Sequence, residues 1–249
     1  MKLIDLLSFI SRLAKSKGYS TPFIVGGMPR DKLLNMIGDI NDVDLTTGDK
    51  SIHLLSRDVA TSLKDVIDDY VVMPDGHSKI VIGDFSLDFS TNFVVPGITS
   101  ILQDAGIKVV SDMQKELYSR DFTCNTALMS MSLKKIYDPT GLAIEDIEAK
   151  MIRTCLQPAL TLGYNNRRVV RIIYMAAKLD FDVDENIISW VKENPESFAN
   201  ADPTYLSKKL NQSIEYNKAK VVSLLDRMNL WSYVPNVDVL FPYRAARLS

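Results

Sequence analysis

The chain has 249 residues, 46% of them hydrophobic, and a formal net charge of −2. That is enough for one or two domains with a buried core, and the near-neutral total excludes a protein that grips nucleic acid by bulk charge alone. No apolar run approaches the roughly 18 residues of a membrane helix, Met1 to Tyr19 mixes apolar and charged positions unlike a signal peptide, and Cys124 and Cys155 have neither metal-ligand nor disulfide-framework spacing, so a soluble, cytoplasmic protein with no membrane partner is expected.

Leu3, Ile4, Leu7, Ile10, Leu13 and Ala14 recur at helical spacing and predict a first helix. Phe23 to Val25 is a short apolar run that ends at Gly26 and Gly27. Pro29 then stands where it would open a helix, because its fixed φ and missing N–H suit a first helical position. The segment therefore reads as strand, turn, helix. Two residues without side chains let backbone approach a triphosphate closely, and the N–H groups that start a helix attract anions. Arg30 adds a planar charged fork for phosphate oxygens.

Eleven residues after Asp31, Asp42 and Asp44 flank Val43 in a predicted strand, so the two-residue period puts both carboxylates on one face. Adjacent carboxylates repel unless a cation lies between them. Oxygen ligands aimed at phosphates are the usual arrangement for Mg²⁺. A helix follows near Ile52 to Leu63, then strands near Tyr70 to Met73, Lys79 to Ile82 and Phe85 to Phe89. In the last of these Phe85, Leu87 and Phe89 face a core and Asp88 the opposite side, which makes Asp88 a candidate third carboxylate.

Ser119-Arg120-Asp121-Phe122-Thr123-Cys124-Asn125 concentrates polar groups suited to one ligand: Arg120 for phosphate, with Asp121 and Asn125 four apart and on one side if helical. Beyond Leu142 the pattern turns helical, with segments near Arg168 to Leu179, Glu185 to Lys192, Thr204 to Gln212 and Lys218 to Met228. Residues 1–149 carry 15 Lys and Arg against 21 Asp and Glu, whereas residues 150–249 carry 14 against 10. The second half is the more basic and the better seat for a polyanion.

These motifs resemble a known family. Gly26-Gly27-x-x-Arg30-Asp31-x-Leu33-Leu34 followed by Asp42-x-Asp44 is similar to the first motif of the class II tRNA nucleotidyltransferases (CCA-adding enzymes) and bacterial poly(A) polymerases, within the DNA polymerase beta-like superfamily. Arg120-Asp121-Phe122-Thr123-x-Asn125 resembles the family's Arg-Arg-Asp-Phe-Thr-x-Asn motif, with Ser119 at the first Arg. Tyr137-Asp138-Pro139-Thr140-Gly141 resembles its Asp-Pro-x-Gly-Gly hinge, without the second Gly and with one residue added. The helix from Arg168 resembles the first helix of the family's neck domain, where relatives read Glu-Asp-x-x-Arg; here Tyr164 and Asn165 stand for Glu and Asp, Arg168 keeps the Arg, and Tyr174 replaces a later Arg.

The resemblance runs from about Phe23 to Pro235. It implies an α+β fold: a polymerase beta-like nucleotidyltransferase head with a mixed sheet and helices over residues 1–141, and an all-helical neck over 142–249, without the body and tail that bind tRNA in longer relatives. It also implies transfer of nucleotides from CTP and ATP to an RNA 3′-hydroxyl, expected at the CCA end of tRNA, by two-metal catalysis with Mg²⁺ on Asp42 and Asp44, assisted by Asp88. Gly26, Gly27, Arg30 and Arg120 would hold phosphates, Asp121 and Asn125 the ribose side, and Asn165, Arg168 and Arg171 the base side. An Asp accepts hydrogen bonds only, whereas an Asn amide also donates, so selectivity for C and A is expected to be relaxed. Poly(A)-type tailing, transfer of NMP to a protein or small molecule, and a catalytically silent nucleotide- or RNA-binding module are the alternatives.

Overall fold

In the computed structural model, residues 2–241 other than 37, 39, 92 and 93 are described. The chain divides into two compact units, Met1–Ile147 and Glu148–Ser249. The first extends past the expected boundary at residue 141.

The first unit opens with helix α1 (Leu3–Lys17), whose Leu6, Leu7, Ile10 and Ala14 are buried, and which ends at Gly18 in the left-handed conformation. Strand β1 (Phe23–Val25), helix α2 (Gly27–Leu33), strand β2 (Asp42–Thr46), helix α3 (Ser51–Ser62), and strands β3 (Asp69–Val72), β4 (Ser78–Ile82) and β5 (Phe85–Phe89) follow. Helices α4 (Ile98–Asp104) and α5 (Asp112–Tyr118), a 3₁₀ turn (Thr123–Asn125), strands β6 (Leu128–Ser130) and β7 (Ile136–Tyr137) and helix α6 (Ala143–Glu148) complete the run.

The strands form one seven-stranded sheet in the order β3-β4-β5-β2-β1-β6-β7. Every neighbouring pair is antiparallel except β2 and β5, which run parallel with Asp44 opposite Asp88. Alternation along β2 and β5 sends Val43, Leu45, Leu87 and Phe89 into a core shared with Leu6, Leu7 and Ile10 of α1 and Ile52, Leu55 and Val59 of α3. Each such side chain, fully removed from water, stabilises the fold by about 1.5–3 kcal/mol. The opposite face of β2 is left for Asp42 and Asp44.

Helix α2 begins at Gly27, so Pro29 is its third residue rather than its first. The difference costs no hydrogen bond, because none of the first four N–H groups of a helix has an intrahelical acceptor.

The second unit contains β8 (Met151–Ile152), α7 (Pro158–Leu162), α8 (Arg167–Leu179), β9 (Asp182–Val183), α9 (Glu185–Glu193), α10 (Glu196–Ala199), α11 (Pro203–Arg227), a 3₁₀ turn (Trp231–Tyr233) and α12 (Val237–Leu240). It is helical apart from the short parallel pairing of β8 with β9. Helix α8 packs its apolar face, including Val169, Ile172, Ile173 and Ala176, as the centre of this unit and lies against α11. The two segments expected at Thr204 to Gln212 and Lys218 to Met228 are joined across Asn217, which is non-helical (φ −157°, ψ 88°). Its Oδ1 accepts from Lys220 N at 3.0 Å, capping the second segment as it would a separate helix. Among the described residues no helix is long and apolar enough to cross a membrane.

Candidate active site

On the open face of β2, Asp42 and Asp44 are both exposed while Val43 and Leu45 between and beyond them are buried. The spacing thus produces the expected pair of neighbouring carboxylates. Asp88, on the adjacent β5, is half-buried. Burial is the main reason its carboxyl is shifted above the ordinary value; Lys79 and His77 oppose that shift and the charge of Asp42 adds to it. Asp42 and Asp88 therefore feel one another's charge. Among the described residues no three His, Cys, Asp or Glu side chains are grouped closely enough to hold a metal ion.

The turn after β1 is built around Gly26. Its φ of 81° and ψ of −127° lie where side-chain-bearing residues are strained. A Cβ here would also stand 2.7 Å from Asp44 Oδ2 and 3.8 Å from Arg120 Nη1. Asp44, Gly26 and Arg120 thus converge on one spot, although they come from β2, the β1–α2 turn and the segment after α5. Gly27 adds a second close approach, since its Cβ would be 3.3 Å from Arg30 Nη2.

Arg30 is only 4% exposed and turned inward. Its Nε donates to Asp31 Oδ1 at 2.8 Å and its Nη1 to Asn125 Oδ1 at 2.6 Å, while Nη2 lies 2.7 Å from Asp31 Oδ1. Asn125 Nδ2 donates in turn to Asp121 Oδ1 at 3.0 Å, an oxygen that also accepts from Phe122 N at 2.9 Å. The segment is not the α-helix that a four-residue spacing suggested; the 3₁₀ turn at Thr123–Asn125 folds Asn125 back onto Asp121. The guanidinium expected at phosphate is thus the brace that joins the glycine turn to Asn125. Ser119, at the position of the family's first Arg, is wholly buried, with Oγ donating to Lys115 O and accepting from Val95 N.

One buried side chain bonded to Arg120 was missed by sequence reading. Glu116 of α5 is fully buried; its Oε1 accepts from Arg120 Nη2 at 2.8 Å and its Oε2 from Thr46 Oγ1. The signal was present in the four-residue spacing of Glu116 and Arg120, but such pairs are usually solvated. Cys124 is buried too, which pushes its thiol up to about 12 and leaves it unreactive.

In the second unit Asn165 is exposed just before α8, and its Oδ1 accepts from Arg167 N at 3.0 Å. Arg168 Nη1 donates to Thr161 O at 3.0 Å. Lys209 of α11 lies 3.8 Å above the ring of Tyr174, and Arg167 5.1 Å from that of Tyr205. Lys209 has its pKa lowered, first by burial and then by Arg171, Lys208 and Lys178, so this face carries crowded positive charge.

The donor set suits Mg²⁺ better than a metal caged by protein alone. Two carboxylates beside a glycine turn match an ion that takes one or two protein carboxylates and completes its shell with substrate phosphates and water.

A model of the poly(A) polymerase head domain matches residues 22–153, more than half of the chain. The chain belongs to that family, the class II tRNA nucleotidyltransferases and bacterial poly(A) polymerases. It is 27% identical over 210 residues to tRNA nucleotidyltransferase cca2 of Schizosaccharomyces pombe, covering 77% of this chain and 43% of that protein. It is 26% identical over 227 residues to the CCA-adding enzyme of a Geobacillus species, covering 91% of this chain and 53% of that protein. Among solved structures, the Bacillus stearothermophilus CCA-adding enzyme in complex with CTP superposes with a TM-score of 0.72 at 22% identity, covering 95% of this chain and 55% of that one. The chain spans about half the length of these relatives. The head's mixed sheet and the helical second unit agree with this fold.

Proposed function

We propose that this chain is a template-independent RNA nucleotidyltransferase that adds nucleotides from CTP and ATP to an RNA 3′-hydroxyl, with the CCA end of tRNA as its acceptor. The observation that carries the reading is the convergence of Asp44, Gly26 and Arg120 at one turn, beside Asp42 on the same strand face. A metal-binding carboxylate, a backbone that admits close approach and a guanidinium are what a nucleoside triphosphate needs at one place. The names of the relatives, which are CCA-adding enzymes and tRNA nucleotidyltransferases, support the acceptor.

In this reading the 3′-oxygen of RNA forms a bond to the α-phosphorus, the bridging bond between α- and β-phosphates breaks, and pyrophosphate leaves. Asp42 and Asp44 would hold Mg²⁺, which supplies neutralisation of the triphosphate charge and polarisation of the attacking hydroxyl. Asp88, whose carboxyl is shifted above the ordinary value chiefly by burial and is the more basic for it, is the candidate to take the hydroxyl proton in its ionised form. Gly26, Gly27 and Arg120 cradle phosphates, with Arg30 fixing the turn from beneath, and Asp121 and Asn125 present polar groups to the ribose side. The amide of Asn165, with Arg168 and Arg171, addresses the base. Positioning and charge neutralisation carry most of the acceleration. Two thiols that form no disulfide, Cys124 and Cys155, suit a reducing, cytoplasmic setting.

The test is to incubate the protein with tRNA lacking its 3′ end, or with oligo(A), and each NTP, and to sequence the products' 3′ ends. Addition of C, C and A to tRNA is expected. Long runs of A on both acceptors would assign poly(A) tailing instead, and no extension with any RNA would overturn the reading.

A further inference from the structure

Glu116 is an acidic side chain buried completely at the edge of the proposed catalytic site, and none of the roles above uses it. Its two oxygens are divided between two elements. Oε1 accepts from Arg120 Nη2 at 2.8 Å, and Oε2 accepts from Thr46 Oγ1, which itself accepts from Gly48 N at 2.9 Å. Thr46 belongs to β2 and lies two residues beyond Asp44, so Asp42, Asp44 and Thr46 share one face of the strand. Gly48 brings the end of this strand hard against α5: with φ at 79°, its Cβ would stand 2.8 Å from Met113 Cα. The carboxylate therefore ties the strand that carries the metal-binding pair to the arginine beside the glycine turn.

The direction of Arg120 follows from that bond. With Nη2 held by Glu116, Nη1 is the end that points toward Gly26, 3.8 Å from where its side chain would begin, while Nε is buried without a hydrogen-bond partner. A guanidinium on three or four rotatable bonds has many other orientations available. A buried carboxylate with one oxygen on the arginine and one on the strand leaves it a single one, at a fixed distance from Asp44.

We infer that Glu116 is a positioning residue for nucleotide binding: through Arg120 and Thr46 it sets the separation between the phosphate-binding guanidinium and the carboxylates of Asp42 and Asp44. This rests on the nucleotidyl-transfer reading. The side chain touches no substrate; it acts through its reach, which spans Arg120 and Thr46 at once. Glutamine keeps the reach, with its carbonyl accepting from Arg120 and its NH₂ donating to Thr46 Oγ1 in reverse of the bond that the carboxylate accepts. Aspartate keeps the charge and cannot span both partners.

The experiment measures the dissociation constant of Mg·ATP by equilibrium titration, and KM and kcat for incorporation, in wild type, Glu116→Asp, Glu116→Gln and Asp42→Asn/Asp44→Asn, each checked for folding by circular dichroism and thermal melting. Glu116→Asp is expected to raise the dissociation constant and KM about tenfold or more with a smaller fall in kcat, and Glu116→Gln to stay within about threefold of wild type. A merely structural glutamate would reduce the folded fraction and leave KM of the folded protein unchanged. Folded Glu116→Asp with wild-type binding and KM overturns the inference while leaving the nucleotidyl-transfer reading intact, provided Asp42→Asn/Asp44→Asn weakens binding. If Mg·ATP binding is absent from wild type or indifferent to Asp42→Asn/Asp44→Asn, the reading of the site fails and the inference falls with it.

Discussion

Asp44 Oδ2 stands 2.7 Å from the point at which a side chain on Gly26 would begin. The carboxylate occupies the space that the glycine leaves open, so the glycine turn and the Asp-x-Asp strand are one construction rather than two neighbouring motifs. Adding a methyl group there must displace Asp44 or the turn, and it also forces a backbone conformation with φ at 81° on a residue that resists it. Gly26→Ala is expected to lower stability by about 1–3 kcal/mol and to reduce NTP incorporation by about a hundredfold or more, since misplacement by an ångström is enough to do so. Thermal melting and single-nucleotide incorporation measure the two effects separately.

In the proposed function Asn165 addresses the base. Its oxygen accepts from Arg167 N, and its amide can donate where an aspartate could only accept. An amide that can donate as well as accept pairs with the carbonyl of uracil as readily as with the amino group of cytosine, so it discriminates between them less than a carboxylate would. Asn165→Asp is expected to raise the preference for CTP over UTP by about tenfold, the scale of one well-placed hydrogen bond. Competition between labelled CTP and UTP measures it, and equal ratios in wild type and variant would remove Asn165 from base recognition.

Asp88 gives a pH signature. Its pKa is raised in the folded protein, chiefly by burial, so the folded state binds the proton more tightly than the unfolded state. Relative to an uncharged side chain, its contribution to stability is most favourable below the unfolded carboxyl value of about 3.9 and is lost as pH rises through the folded value. Asp88→Asn removes that loss. The variant should melt at a higher temperature than wild type at pH 7 and show a smaller difference near pH 4. A difference in melting temperature independent of pH would show that the Asp88 carboxyl is not destabilised by its surroundings.

Legibility in the sequence followed the range of the interactions. Strand β2 and strand β5 could be read because their two-residue alternation is local, and Val43, Leu45, Leu87 and Phe89 do form the core. The proximity of Asp42, Asp44 and the Gly26 turn was legible only as a motif; the physical reason, an antiparallel pairing that sets Val25 opposite Asp44, is a contact between residues far apart in the chain. Glu116 went unread because a helical glutamate four residues before an arginine looks like a solvated pair, whereas its second partner, Thr46, lies seventy residues away in the chain. Arg30 was read as a phosphate ligand from its place in the motif, whereas its partners Asp31 and Asn125 show a guanidinium turned into the protein. Strands β8 and β9 are two residues each, too short to carry any periodic signal.

The most direct test of the central claim is incorporation of labelled CTP and ATP into tRNA lacking its CCA end by wild type and by Asp42→Asn/Asp44→Asn, with pyrophosphate release followed in parallel. The account predicts Mg²⁺-dependent addition at the 3′-hydroxyl by wild type and a loss of about a thousandfold or more in the variant, on the scale expected when charge stabilisation of the reacting phosphate is removed. Incorporation that survives in the folded variant would contradict it.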